Sequence, residues 1–569
     1  MEISGAKMFV KALEEEGIKE IFAYPGGQAI DLFDALYNSS IELILPRHEQ
    51  ALVHAADGYA RSTGEVGVCL VTSGPGATNL VTGIATANFD SVPLVCFTGQ
   101  VATPLIGNDA FQEVDIVGIC RNICKYAVTV RKREDLATII RKAFIIAKSG
   151  KPGPVLVDIP KDVQLALGSD NYEKNIEIRG YKPYDGIHLG QIRRASALLK
   201  ESKKPVLLLG GGVNIARAYK EVKEFVELTK IPVVTTIMGK GSLSTDHPYY
   251  IGNVGMHGIY AANKAIQECD VLLSIGCRFN DRITGKVSEF AKNAKIIHID
   301  IDPASISRNI VVDIPIVGDA KTALQSLLDV STELDTRNWI KYLMDIKVKH
   351  PISMKKYSGL TPEAVIKLIN ENYNKLILST DVGQNQLWTT QYLDLNENKK
   401  LLTSGGLGTM GYGLPAAIGA KIGNPDTPVV SISGDGGFQM NLQELATLKA
   451  TGLPVTIIIF NNEYLGNVRQ WQEMFYDKRY ASTCLRKNYE CNNDCKNCKI
   501  KYRPDFVKMA EAYDIKAKRI FTLEEANDAI KEASQSNESV LLEIIIEREL
   551  NVYPMTPGGR VLDDMVLDC

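Results

Sequence analysis

Gly434-Asp435-Gly436-Gly437-Phe438 closes a run of β-branched and small residues, Val429-Val430-Ser431-Ile432-Ser433, and a second apolar run, 455–460, closes at Asn461-Asn462. Between them, Asn441 and Glu444 have capping-box spacing for a helix start, and Gly452 with Pro454 stops that helix. Strand, glycine loop, helix, strand is a βα unit. A right-handed crossover makes the two strands parallel, so their carboxyl ends lie on one edge of the sheet. Asp435 and Asn462, 27 positions apart (462 − 435), therefore share the edge where open α/β sheets bind ligands. A carboxylate and a carboxamide oxygen are hard ligands suited to Mg²⁺, which completes its octahedron with water and substrate phosphates. The glycines let backbone N–H groups approach a diphosphate. Taken singly, the first piece is a tight turn and the second a polar loop. Their spacing, with one helix and one strand between, is what argues for a site.

The same strand–glycine–helix–strand layout occurs near the start of the chain, as 68–72, Ser73-Gly74-Pro75-Gly76, a helical stretch and 94–98. Short β-branched runs alternate with amphipathic stretches almost throughout, which predicts an α/β fold of parallel sheets. Polar, Pro- and Gly-bearing segments at 169–189 and 329–360 read as connections. The expectation is three consecutive α/β domains, at about 1–170, 188–332 and 360–550, with 551–569 as a tail. The length of 569 residues agrees with three or four domains at ~100–200 residues each.

Composition excludes several classes. The chain is 45% hydrophobic and 23% charged, enough to bury several cores. Net charge is −3, from 67 acidic and 64 basic residues, which argues against a nucleic-acid partner. No apolar run approaches the ~20 residues of a membrane span. Met1 to Lys7 runs into an amphipathic helix pattern without a signal or transit character, so a soluble cytoplasmic protein is expected.

Leu43-Ile44-Leu45-Pro46-Arg47-His48-Glu49 brings a carboxylate to the point where a strand gives way to a helix expected over 51–62. Alone, Glu49 is a first-turn glutamate placed for the helix dipole, worth ~0.3–1 kcal/mol.

Asp435 and Asn462 together resemble the thiamine-diphosphate motif, and further stretches extend the resemblance to nearly the whole chain. They are Tyr24-Pro25-Gly26-Gly27, Arg47-His48-Glu49-Gln50, Thr72-Ser73-Gly74-Pro75-Gly76-Ala77-Thr78-Asn79, Asp109-Ala110-Phe111-Gln112-Glu113, Pro154-Val155-Leu156-Val157-Asp158-Ile159-Pro160-Lys161-Asp162, Gly406-Leu407-Gly408-Thr409-Met410-Gly411 and Val468-Arg469-Gln470-Trp471. In this order they resemble the catalytic subunit of the acetohydroxyacid (acetolactate) synthase family. The resemblance implies decarboxylation of pyruvate on thiamine diphosphate. The hydroxyethyl carbanion then joins a second pyruvate or 2-ketobutyrate, the first common step toward valine, leucine and isoleucine.

The resemblance also implies roles. Asp435, Asn462 and the carbonyl of Tyr464 would hold Mg²⁺. Val382-Gly383-Gln384-Asn385, Gly408, Gly436, Gly437, Leu465 and Gly466 would complete the cofactor cradle, with Met410 propping its bent form. Glu49 would favour the imino tautomer that removes the thiazolium C2 proton. Gly27, Gln112 and Lys161 would lie near the reacting carbonyl. Arg282 would take the acceptor carboxylate, Trp471 would wall its alkyl group, and Phe111 would line the substrate. Gly210-Gly211-Gly212, Met256-His257, Gly276, Arg278, Asp300, Asp319 and Lys151 would bind FAD. Partners implied are 2-ketoacids, a second copy at least (a tetramer stays open) with Glu49 facing Asp435 across the interface, and a small regulatory subunit.

Two features depart from the family pattern. Lys151-Pro152-Gly153-Pro154 stands where arginine is usual, and lysine lacks the planar fork. The segment Cys484 to Lys501 is longer than the family connection, and Cys484, Cys491, Cys495 and Cys498 in it suit zinc, an iron–sulfur cluster or free thiols alike. A flavin-dependent pyruvate oxidase and a flavin-free catabolic synthase are the nearest rivals. The contexts of Gln112 and Trp471 weigh against the first, and the Arg278 to Arg282 stretch against the second.

Overall fold

The computed structural model describes residues 2–184, 186–354, 357, 359–486 and 503–567. Three six-stranded sheets dominate, and every neighbouring strand pair in them is parallel. The first runs Glu42–Ile44, Glu20–Ala23, Gly67–Val71, Leu94–Gln100, Pro154–Pro160, Tyr126–Thr129. The last runs Lys399–Leu402, Leu376–Thr380, Val429–Gly434, Thr456–Asn461, Val540–Ile545, Lys516–Ile520. Numbered in chain order within each sheet, both are 2-1-3-4-6-5, so the layout shared in the sequence is a shared topology. The middle sheet runs Tyr250–Asn253, Val233–Thr235, Pro205–Leu209, Val271–Ile275, Lys295–Asp300, Ile314–Val317, the order 3-2-1-4-5-6 of dinucleotide-binding folds.

Each sheet carries a separate apolar cluster on either face. Central strands such as Pro205–Leu209 and Val271–Ile275 are buried at every position, as strands covered on both sides must be. A short antiparallel pair, Glu2–Ser4 with Leu167–Ser169, ties off the first domain.

The first and third domains meet along two helices, Glu49–Thr63 and Gly413–Gly423. Small residues let the backbones touch. A Cβ on Gly58 would stand 2.1 Å from the Ala416 carbonyl oxygen, and one on Gly419 would stand 1.7 Å from that of Ala55. Beside this contact, largely buried Arg61 pairs with Asp57 (2.6 Å) and Asp90 (3.0 Å), and Tyr412 donates to Asp57 (2.6 Å).

Three local expectations change. The capping box at Asn441 does not form: its Nδ2 donates to the Gly411 carbonyl at 2.7 Å, and Glu444 accepts from Arg47 N at 3.0 Å and Thr447 Oγ1 at 2.6 Å. Tertiary partners outcompete the local cap. The segment 329–360 is not only a connection: it carries the helix Arg337–Lys349, whose Trp339 and Leu343 join the middle core, with Trp339 Nε1 donating to Pro205 O at 3.1 Å. The tail lies across the middle domain through Thr556 N to Met256 O (2.7 Å), Asn263 Nδ2 to Leu562 O (3.0 Å) and Lys264 to Asp563 (3.1 Å). No described helix is long and apolar enough to cross a membrane. Cys491, Cys495 and Cys498 lie outside the described residues.

Candidate active site at the sheet edges

In the third sheet the strand order reverses between Leu376–Thr380 and Val429–Gly434, and a ligand crevice belongs at that switch point. The loops that leave it are 381–385 and 435–437, with 462–466 from the next strand. Asp435 opens the short helix Asp435–Phe438 and is 4% exposed. Burial pushes its carboxyl up to about 8. The charge of Glu463 adds to this, and the amides of Asp435, Gly436 and Glu463 oppose it. A buried carboxylate under that pressure is one that a cation completes. Asn462 is equally buried. Its Oδ1 accepts from Tyr464 N at 3.1 Å, and its Nδ2 donates to Gln384 Oε1 at 3.4 Å.

The glycines make the crevice. Cβ atoms built on Gly383 and Gly434 would each stand 3.4 Å from Asn385 Nδ2, and Asn385 Oδ1 is buried without a partner. A Cβ on Gly437 would meet Asp381 Oδ1 at 2.2 Å, one on Gly466 would meet Gln384 Oε1 at 2.1 Å, and one on Gly436 would meet Leu465 at 2.6 Å. The loops interlock, so these positions admit no larger side chain. Asp381 ties in the loop bearing Gly408 and Met410 through hydrogen bonds from Gly411 N and Gly413 N. Its importance was not apparent from the motifs, although Asp381 directly precedes Val382. Carboxylate, carboxamide and main-chain oxygen are donors for a hard cation, and the glycines leave room for backbone N–H groups to approach a diphosphate. Among the described residues no group of three His, Cys, Asp or Glu could hold a metal.

The first sheet has its own switch point, between Glu20–Ala23 and Gly67–Val71. Glu49 opens the helix Glu49–Thr63, with His48 as N-cap, and its Oε2 accepts from Asn79 Nδ2 at 3.0 Å. A Cβ on Gly76 would stand 3.5 Å from Glu49 Oε1, and one on Gly26 would meet Thr72 at 2.5 Å. Gln112 adopts φ 58° against the Gly74 turn, where a Cβ on Gly74 would lie 2.9 Å from its own. Lys161 Nζ donates to the Gly27 carbonyl at 3.0 Å and pairs with Asp31 at 2.7 Å. One edge thus collects Gly27, Glu49, Asn79, Gln112 and Lys161. Phe111 is 83% exposed.

Arg282 and Trp471 do meet across two domains: the guanidinium lies 5.7 Å from the indole ring, and its Nη1 lies 3.5 Å from Met256 Sδ. A cavity of about 1,320 Å³ opens where the three domains meet. Lys151, Gly211, Gly212, Gly276, Arg278, Asp300 and Asp319 line it, together with Asp90 and Gly405. It sits at the middle switch point, between Pro205–Leu209 and Val271–Ile275. Burial pushes the Asp300 carboxyl up to about 6. Lys151 pairs with Asp302 at 3.1 Å. Asp319 spends its Oδ1 on the helix N-terminus, accepting from Lys321 N and Thr322 N. Gly210 serves packing, since a Cβ there would stand 2.1 Å from the Gly276 carbonyl oxygen. Met256 and His257 fall outside the cavity lining. His257 is held by the tail at Pro554, and burial lowers its pKa to about 4.

Residues 3–119 match the N-terminal TPP binding domain of thiamine pyrophosphate enzymes, 192–327 the central domain and 381–544 the C-terminal TPP binding domain. The chain belongs to the thiamine pyrophosphate enzyme family. Its relatives there include the probable acetolactate synthase large subunit of Methanocaldococcus jannaschii, 49% identical over 98% of this chain and 94% of the relative. The acetolactate synthase large subunit of Corynebacterium glutamicum is 45% identical over 99% and 90%. The acetolactate synthase isozyme 3 large subunit of Escherichia coli is 42% identical over 99% and 98%.

Proposed function

We propose that this chain is the catalytic subunit of an acetolactate synthase, joining a two-carbon fragment of pyruvate to a second pyruvate or to 2-ketobutyrate. The observation that carries the reading is the placing of Asp435 with Asn462 and of Glu49 with Asn79 and Gln112 at the switch points of two sheets of identical order, in a chain matching its relatives end to end.

Thiamine diphosphate, when bound, supplies the acidic C2–H and the electron sink. The chain's own residues do the rest. Asp435, Asn462 and the Tyr464 carbonyl would hold Mg²⁺, and the 382–385 and 435–437 loops would hold the diphosphate. Glu49, oriented by Asn79, would exchange a proton with the aminopyrimidine ring. Arg282 pairs with the acceptor carboxylate, and Trp471 walls its alkyl group. FAD would take the cavity at the middle switch point, with Gly211, Gly212 and Gly276 giving close backbone approach and Arg278 and Lys151 supplying charge.

Glu49 of one copy would serve Asp435 of another. Exposed apolar side chains at both edges support a covering copy: Leu45 is 42% exposed, Phe111 83%, Met440 52% and Phe475 46%. The relatives' designation as large subunits supports a smaller partner.

The test is acetolactate formation from pyruvate by the purified protein, with and without Mg²⁺, thiamine diphosphate and FAD. Activity that needs the first two establishes the reading; peroxide or acetyl phosphate as product rejects it.

A further inference from the structure

Glu463 follows Asn462 directly, at φ 59°, and is 9% exposed. Its carboxylate gathers three guanidinium groups. Arg486 Nη1 stands 2.9 Å and Arg548 Nε 3.1 Å from Oε2, and Arg503 Nη1 stands 3.4 Å from Oε1. The main chain is tied as well: Glu463 N donates to Asn461 Oδ1 at 3.0 Å, and Glu463 O accepts from Leu485 N at 2.9 Å. Leu465 N donates to Thr483 O at 2.9 Å, and Tyr464 bridges to Cys484, so 463–465 and 483–485 run antiparallel. Arg548 also lies over the Tyr464 ring at 4.6 Å. The clamp therefore grips Glu463, the residue between the loop's two expected metal ligands, Asn462 and Tyr464.

Removing the carboxylate would leave the guanidinium groups that pair with it beside the loop that would receive a divalent cation. Such charges repel, and partial burial leaves them less screened than on the surface. We propose that Glu463 is a positioning residue for Mg²⁺ and the diphosphate: it holds the 462–464 loop in its ligating conformation and offsets the arginines that would otherwise oppose the metal. The proposal rests on the cofactor reading above.

The experiment uses the full chain stripped of metal and cofactor, titrated with Mg²⁺ at saturating thiamine diphosphate and followed by tryptophan fluorescence at low and high KCl. Glu463→Gln should raise the apparent Kd for Mg²⁺ by about tenfold or more, the usual effect of losing a group that orients metal ligands. The deficit should shrink at high KCl, because mobile ions screen the arginines. Glu463→Asp should recover part of the affinity, and adding Arg503→Gln to Glu463→Gln should do so too. A folded Glu463→Gln protein with wild-type affinity overturns the proposal, as does a loss equal at both salt concentrations. If Glu463→Gln fails to fold, Arg503→Gln alone decides: unchanged or tighter Mg²⁺ binding supports the proposal, and tenfold weaker binding overturns it. Wild-type protein that binds neither Mg²⁺ nor thiamine diphosphate rejects the cofactor reading itself.

Discussion

Both carboxylate oxygens of Asp381 accept from the amide of Gly411, at 3.1 and 2.9 Å, so one buried side chain welds the loop that carries Met410 to the loop that opens the diphosphate crevice. Gly413 N and Val382 N add bonds at 3.0 and 2.9 Å. The bonds run to the main chain of two loops, so the carboxylate sets their separation whatever side chains they bear.

Asp381→Ala should therefore cost both stability and cofactor. It leaves two buried N–H groups, those of Gly411 and Gly413, without acceptors, at ~1–3 kcal/mol each before relaxation. We expect a lower melting temperature and a thiamine diphosphate Kd at least tenfold higher. Wild-type cofactor affinity would separate Asp381 from the cradle.

Glu49→Gln should keep the fold and Mg²⁺ binding but lose activity by about 10²–10⁴-fold, the range of a positioned acid–base group. Asn79 can still bond the amide, while the amide cannot exchange a proton with the ring. Exchange of the C2 proton, followed by NMR after quenching, should fall in parallel; undiminished exchange would remove Glu49 from the mechanism.

Trp471→Leu should lower the ratio of acetohydroxybutyrate to acetolactate when pyruvate and 2-ketobutyrate compete. One methylene in an apolar pocket is worth ~1–3 kcal/mol of discrimination, and the indole lies against Arg282, the group proposed to take the acceptor's carboxylate. An unchanged product ratio would place the alkyl wall elsewhere.

Asp158 makes stability depend on pH. It is 2% exposed and accepts from Thr98 Oγ1 (2.7 Å), Gln100 Nε2 (3.2 Å) and Thr129 Oγ1 (3.2 Å), yet burial pushes its carboxyl from 3.8 up to about 6. The folded pKa is the higher one, so the folded state holds the extra proton. This contribution is full below about 3.8 and is lost as pH rises through about 6. The rise from 3.8 to about 6 is worth ~3 kcal/mol. The unfolding midpoint of Asp158→Asn should therefore gain on the wild type between pH 4 and pH 7. Parallel curves would show that Asp158 titrates alike in both states.

Gly419→Ala tests the contact between the first and third domains. The new methyl would stand 1.7 Å from the Ala55 carbonyl oxygen, a backbone atom that cannot turn aside. Overpacking of this kind costs ~1–3 kcal/mol, so the melting temperature should drop by several degrees. A melt like wild type would mean that the two helices separate freely.

The chain of residues alone determined the α/β class, the three sheets, the repeated layout of the first and third domains and the placing of Asp435 and Asn462 on one sheet edge. Those features rest on short-range signals: β-branched runs, glycine turns and a crossover of one hand. Glu49, Arg282 and Trp471 were singled out through motif resemblance, and the structure sets Glu49 against Asn79 and Arg282 against Trp471. Tertiary structure decided what depends on partners distant in sequence. Asn441 and Glu444 have the spacing of a local cap, but Gly411 and Arg47, 30 and 397 positions away, offer better hydrogen bonds once the domains pack. Asp381 is one more polar residue at a strand end until the fold closes the Gly411 loop over it. Glu463 is one more surface-type charge until Arg486, Arg503 and Arg548 arrive from beyond the helix Gly466–Phe475. The middle sheet's 3-2-1-4-5-6 order, which opens a cavity at Gly211 and Gly276, is set by which strands pair across the sheet, and no local pattern encodes that choice.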